Sequence, residues 1–345
     1  MKYFYTLLFT ISLALSAAAQ EVDSQSEAYQ ALIADFNKAD QDYGEMMMSD
    51  DPDFSAPFPI DLFMPKFQTM AATNDPDAMA WVLQRIDFTD LVDDEKVEAR
   101  LQLVNGLASF PNRWAMVQAV TEESLRASHE DPEWKLSSAE SVFNAMLKTA
   151  TDSQCVSHLL LTQYRLNLLA GSPGKDLLVI LDRMEADFPK SAAATMVPKL
   201  RFAAEKLQPG QPLPDFQGED VMGNVITQQS LGGKPTLLLF WNLHEDQSRD
   251  LVIETRTLHE AFRSKGLFVL GVANDGKKKS FMRSVQYNGH TWDNLYSGDN
   301  TNGLAIEWGL LDLPTTLLVD AQGIIRARGL NGDALTKAVE ALVSP

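Results

Sequence analysis

The stretch TLLLFWNLHEDQSR, residues 236–249, decides how the chain around it must fold. Thr236 to Phe240 is an apolar run of strand length, and Trp241 extends it. A run without polar alternation suits a strand covered on both faces. A polar loop follows. Residues 245–265 then read as a helix, with Leu251, Thr255, Leu258, His259 and Phe262 on one apolar-leaning face and Gly266 as its stop. Buried strand, short loop and amphipathic helix make the front half of a βαβ unit.

Working outward, Pro209-Gly210-Gln211-Pro212-Leu213-Pro214 reads as a linker, followed by Asp215-Phe216. Residues 216–227, with a turn at Met222-Gly223-Asn224, read as a β-hairpin. Gly232-Gly233-Lys234-Pro235 is a turn before the central strand. Leu267 to Ala273 is a second continuous apolar strand. Residues 277–285 read as a helix, 292–296 as extended and 301–308 as a short helix. Leu311-Asp-Leu-Pro-Thr-Thr-Leu-Leu-Val-Asp320 leads to a turn at Ala321-Gln322-Gly323, an edge strand over 324–329 and a closing helix over 333–343.

These segments, in this order, resemble thioredoxin-like proteins of the exported thiol-disulfide oxidoreductase and redoxin (AhpC/TSA-like) type. The family opens with a pattern close to Asp215-Phe216 and has a turn like Gly233-Lys234-Pro235. Its active-site segment reads roughly FWATWCPPCR, which Phe240, Trp241 and Arg249 match. Its PTTFLID-like segment is close to residues 314–320 and implies that Pro314 is a cis-proline facing the helix start. The resemblance covers residues 209–345. The fold class expected is α + α/β: an all-α array of helical hairpins over 20–208, then a thioredoxin-like domain with a central mixed sheet flanked by helices.

On that template the two cysteine positions hold Glu245 and Ser248. Thiol–disulfide exchange needs a thiolate, usually with a resolving partner. No cysteine follows Cys155, so residues 209–345 hold no thiol, and no catalytic residue is assigned. The candidate binding groove is Trp241, His244, Glu245, Asp246, Leu313, Pro314 and Thr315. Glu245 and Asp246 place two carboxylates where a helix start favours negative charge; ordinary capping is the plainer reading. His244 beside Glu245 lacks the spacing of a metal site, so neither metal nor cofactor is expected. His259 and His290 read as surface or partly packed residues, and Lys277-Lys278-Lys279 as a solvated face.

Residues 1–19 read as an export signal: Lys2, an apolar core over 3–15, and Ala17-Ala18-Ala19 as the cleavage site. The destination is a bacterial periplasm, cell envelope or the medium, with no membrane segment left after cleavage. The formal charge is −18. It is uneven: residues 20–209 carry 31 Asp and Glu against 16 Lys and Arg, and residues 210–345 carry 16 against 12. Such a surface disfavours nucleic acid as a partner. Cys155 is the single cysteine and lies in an apolar-periodic helix, where it reads as a small buried hydrophobe.

Residues 20–208 read as helix after helix: 27–48, 76–86, 93–110, 113–128, 137–149, 152–169, 175–188 and 191–207, with 51–59 as a proline-bearing loop. Short connections imply antiparallel hairpins, and no fixed repeat period is present. Met46-Met47-Met48 point in different directions on a helix and read as packing residues rather than a copper site. Trp81, Trp114 and Trp134 read as core anchors. The function expected is binding of a protein or peptide by a redox-inactive domain. The alternative is a redoxin-type thiol-disulfide oxidoreductase or peroxidase with a non-standard site.

Overall fold

The computed structural model describes residues 25–49, 51–130, 135–242, 246–274, 278–287, 290–298 and 303–344. The export-signal reading over 1–19 and Trp134 lie outside them. The described residues divide into two compact units, one of 173–182 with those from 195 onward, the other of those up to 172 with 183–194.

In the helical unit, α1 (Glu27–Met47), α2 (Pro59–Ala71), α3 (Pro76–Leu83), α4 (Asp93–Leu107), α5 (Trp114–Glu130), α6 (Lys135–Thr149) and α7 (Ser153–Leu169) follow one another. Sequence neighbours pack together, and α5 also packs on α3 and α7. The starts are chemically marked. Ser26, Asp75 and Asp152 each accept a main-chain N–H from the first turn of α1, α3 and α7. One core is aromatic: Trp81 stacks on Phe67 at 3.8 Å, and Phe36 meets Phe63 and Trp81 edge-on at 5.6 and 5.2 Å. Trp114 lies against His158 at 4.9 Å.

Three readings of the sequence change here. The stretch after residue 58 is helical. Pro59 occupies the first position of α2, where its missing N–H costs nothing, and Pro65 sits inside the helix. After α8 (Gly174–Asp187), the single helix expected over 191–207 is a 3₁₀ turn, Ala193–Met196, followed by α9 (Val197–Lys206), with Pro198 at the second position of the new start. Met48 does not pack; it is 90% exposed.

The second unit is built on a seven-stranded mixed sheet of order β2-β1-β5-β4-β3-β6-β7. β1 (Gln217–Glu219) and β2 (Val225–Thr227) form the expected hairpin, with Asp220 binding the turn at Met222 and Asn224. β3 (Thr236–Trp241) lies between β4 (Phe268–Ala273), parallel to it, and β6 (Thr315–Val319), antiparallel to it. β5 (Asp293–Tyr296) runs parallel to β4, and β7 (Ile325–Arg328) pairs with β6. All six residues of β3 are buried because both faces of the sheet are covered. Each such aliphatic or aromatic side chain contributes about 1.5–3 kcal/mol of burial.

One face packs Leu237, Leu239 and Trp241 against α10 (Asp246–Phe262), α11 (Lys278–Tyr287) and α13 (Gly332–Val343) through Leu251, Leu258, Phe281, Leu335 and Val339. The other packs Leu238 and Phe240 against α9 and the short helix α12 (Leu304–Glu307). α9 comes close enough that a Cβ on Gly309, whose φ is +66°, would sit 2.3 Å from the Lys199 carbonyl oxygen. Residues 210–213 line the outer edge of β7: Gly210 N–H donates to Ile325 O, and Ile325 N–H donates to Gln211 O, both at 2.8 Å. Among the described residues, no helix is long and apolar enough to cross a membrane.

Candidate functional site

Three segments meet at the carboxyl end of β3. Phe240 pairs with Thr315 across β3 and β6, so the residue after the first and the residue before the second, Trp241 and Pro314, share that end of the sheet. The Leu313–Pro314 bond is cis. Leu313, Pro314 and Thr315 are half-buried. α10 starts at Asp246, and its third residue, Ser248, is 1% exposed. Its hydroxyl accepts the main-chain N–H of Asn242 at 3.2 Å. The Ser248 side chain therefore closes the turn between strand and helix. Leu243–Glu245 lie outside the described residues, which takes in the candidates His244 and Glu245. The side chain of Asp246 lies outside them as well.

Beneath this end the indole of Trp241 crosses the sheet. A Cβ on Gly271 would fall 3.1 Å from Trp241 Nε1 and 2.1 Å from Asn294 Oδ1. Glycine in β4 is what lets the ring lie against β5. His290 stands between Trp241 and Trp292, with ring centroids 4.8 and 4.9 Å away. Asn294 Nδ2 donates to the Trp292 carbonyl at 2.9 Å, which leaves its Oδ1 to accept from His290 Nδ1 at 3.0 Å. The imidazole thus carries its proton on Nδ1, and Nε2 is a buried lone pair without a hydrogen-bond partner. Burial, and then the nearby Arg256 charge, push the His290 pKa below its ordinary value. His259 bonds Thr291 Oγ1 at 3.1 Å and meets Trp292 edge-on. Reading by segments missed this wall. Its traces are Gly271 inside an otherwise apolar strand and the polar Asn294 inside β5.

The site's chemistry is bounded by what it contains. Among the described residues, no group of three or more His, Cys, Asp or Glu is placed to hold a metal. Cys155 is 1% exposed, packed in α7 among Met116, Val120 and Leu159 of the helical unit. Lys278, exposed at the start of α11, pairs with Glu219.

Solved structures similar to the chain include the thioredoxin domain of a thiol-disulfide oxidoreductase from Bacteroides vulgatus, at 26% identity over 40% of this chain and 100% of that one, with a TM-score of 0.38. A thiol:disulfide interchange protein from Bacteroides sp. is 25% identical over 39% of this chain and 90% of that one, with a TM-score of 0.36. A secreted disulfide oxidoreductase from Mycobacterium tuberculosis is 20% identical over 37% of this chain and 96% of that one, with a TM-score of 0.32. No curated protein matches the chain. The AhpC/TSA family model matches residues 209–328, so that family describes the C-terminal, thioredoxin-like domain and leaves the residues before it unassigned.

Proposed function

We propose that the protein is exported and that its thioredoxin-like domain is a binding module without thiol chemistry. Its ligand is an extended peptide or protein segment, docked on the half-buried Leu313–Thr315 at the carboxyl end of β3, where Trp241 and Ser248 are buried structural parts. One observation carries the reading: residues 209–345 contain no cysteine, and the single thiol, Cys155, is buried in α7. A thiolate that does not exist cannot attack a disulfide or a peroxide.

Two further features support docking. Among the described residues, the main chain of Leu313 has no hydrogen-bond partner, so its N–H and C=O are free to pair with an added strand. By sequence, Glu245 and Asp246 add two acidic residues next to the start of α10, suited to a ligand with positive charge beside its docked strand. Export is supported by the apolar segment over residues 3–15 and the Ala17-Ala18-Ala19 cleavage pattern.

The test is affinity capture from cell-envelope extract with the full mature chain and with a Glu245→Lys/Pro314→Ala variant, read by mass spectrometry and repeated with the purified partner. Loss of the partner with the variant is the expected result. Unchanged affinity overturns the groove reading. Insulin-disulfide or peroxide turnover that disappears with Cys155→Ser would instead establish the redoxin-enzyme alternative. The mass of the protein recovered from the envelope, expected to begin at Gln20, tests export.

A further inference from the structure

The helical unit carries a second surface that the thioredoxin-like groove does not explain. Residues 39–65 contain seven acidic residues and no Lys or Arg. The described ones, Asp40, Asp42, Glu45, Asp51, Asp53 and Asp61, are all exposed. Set among them are three exposed large apolar side chains: Met48 at 90%, Phe54 at 80% and Leu62 at 52%.

Local contacts bring these to one end of α1. The main-chain N–H of Asp53 donates to Met46 Sδ at 3.2 Å, which folds the loop carrying Phe54 back onto the last turn of α1, the turn that Met48 follows. Tyr43 of α1 and Phe58 lie 5.3 Å apart, which fixes the start of α2, and with it Leu62, to the same end. The end itself is electrostatically unfavourable. A helix C-terminus is the negative pole of the helix dipole and is normally flanked by Lys or Arg. The last turn of α1 has no basic residue, and Glu45 stands there instead. Hydrogen bonds from the Ser55 hydroxyl and N–H hold the Asp53 carboxyl below its ordinary pKa, so it stays ionised.

We propose that this end of the helical unit, with Met48, Phe54 and Leu62 as anchors, docks a basic segment of a partner protein whose Lys or Arg residues flank an apolar core. Charge complementarity selects the occupant. A second copy would bring acid against acid, and an anionic membrane would be repelled. The apolar anchors set the strength, as aromatic and methionine side chains do at interface centres. The inference stands apart from the groove reading, because it uses no residue of the thioredoxin-like domain.

The probe is a fluorescent 18-residue amphipathic peptide of Lys and Leu, titrated into the full mature chain and followed by anisotropy. A Glu/Leu peptide of the same pattern is the control. The Lys/Leu peptide should bind, and its affinity should fall as salt rises. Met48→Ser/Phe54→Ser should weaken it at least tenfold. Glu45→Lys/Asp51→Lys should do the same, whereas Val179→Ser, at another exposed apolar position, should leave it unchanged. All these side chains are exposed, so the variants should keep the parent helix content and melting temperature. The proposal is overturned if the Met48/Phe54 variant binds as the parent does, or if the Glu/Leu peptide binds equally well. Sedimentation showing a dimer that Phe54→Ser dissolves would make a second copy the occupant, and would overturn it too.

Discussion

The Ser248 hydroxyl accepts the main-chain N–H of Asn242 at 3.2 Å and so ties the end of β3 to the first turn of α10. A serine capping its own strand–helix turn is a structural part, and its burial leaves no room for an incoming group. Ser248→Ala removes that acceptor. The expected cost is about 1 kcal/mol, read as a lower urea midpoint with an unchanged slope.

Gly271→Ala should be more damaging. The new methyl would collide with Asn294 Oδ1 and crowd Trp241 Nε1, and both belong to a packed wall. Overpacking of this kind costs roughly 1–3 kcal/mol. The Trp241 fluorescence should shift with it, because relief requires the indole to leave the sheet. Val285→Ala, only partly buried on α11, serves as a milder reference.

Acid should loosen the helical unit through His158. Thr121 Oγ1 donates to Gln118 O at 2.9 Å and therefore accepts from His158 Nε2 at 3.2 Å, leaving His158 Nδ1 as a buried, unpartnered lone pair. Burial, and then the Arg165 charge, lower its pKa from 6.5 to about 4. The folded value lies below the unfolded one, so the unfolded chain takes up the proton first. The stability of the neutral ring is fully present above pH 6.5 and is lost as pH falls towards 4. The whole loss is on the order of 3 kcal/mol. Urea unfolding at pH 7.5, 6 and 5, followed by Trp114 fluorescence, should show the decline, and His158→Gln should flatten it. His290 is shifted in the same direction and adds a parallel loss in the sheet unit.

The ion pair of Arg113 with Asp77 at 2.9 Å is held inside the helical unit, where Asp77 is buried in the first turn of α3. Arg113→Ala removes the cation from beside a buried carboxylate. A loss of about 3–5 kcal/mol is expected, measured by thermal melting. Arg113→Met with Asp77→Leu should recover most of it, since replacing both charges by apolar groups leaves no buried carboxylate behind.

The sheet unit was legible because its signals are local and redundant. TLLLFW can only be a strand covered on two faces, Gly266 stops the helix after it, and Leu313-Pro314-Thr315 precedes another apolar strand. The helix α2 was not legible in this way. Proline at residues 57 and 59 signals a loop, yet Pro59 is compatible with a helix start, and packing of Phe63 and Phe67 onto Phe36 and Trp81 offsets Pro65 inside the helix. Of the candidate site, the sequence placed Trp241, Ser248 and Leu313–Thr315, which the structure gathers at one end of β3. It read His290 only as a surface or partly packed residue and gave no role to Gly271, Trp292 or Asn294, whose contacts with it join strands that are neighbours only in the folded sheet.

By itself the sequence determined the order of elements in the C-terminal domain, its lack of any thiol, and the excess of negative charge on the helical part. These follow from residue identity and from periodicities read over a few turns of chain. The tertiary structure alone decided that Ser248 caps a turn, that α9 packs on the sheet, and that the loop carrying Phe54 folds back onto the last turn of α1. Each depends on which distant surfaces meet, and that is set by burial and chain closure rather than by any local pattern.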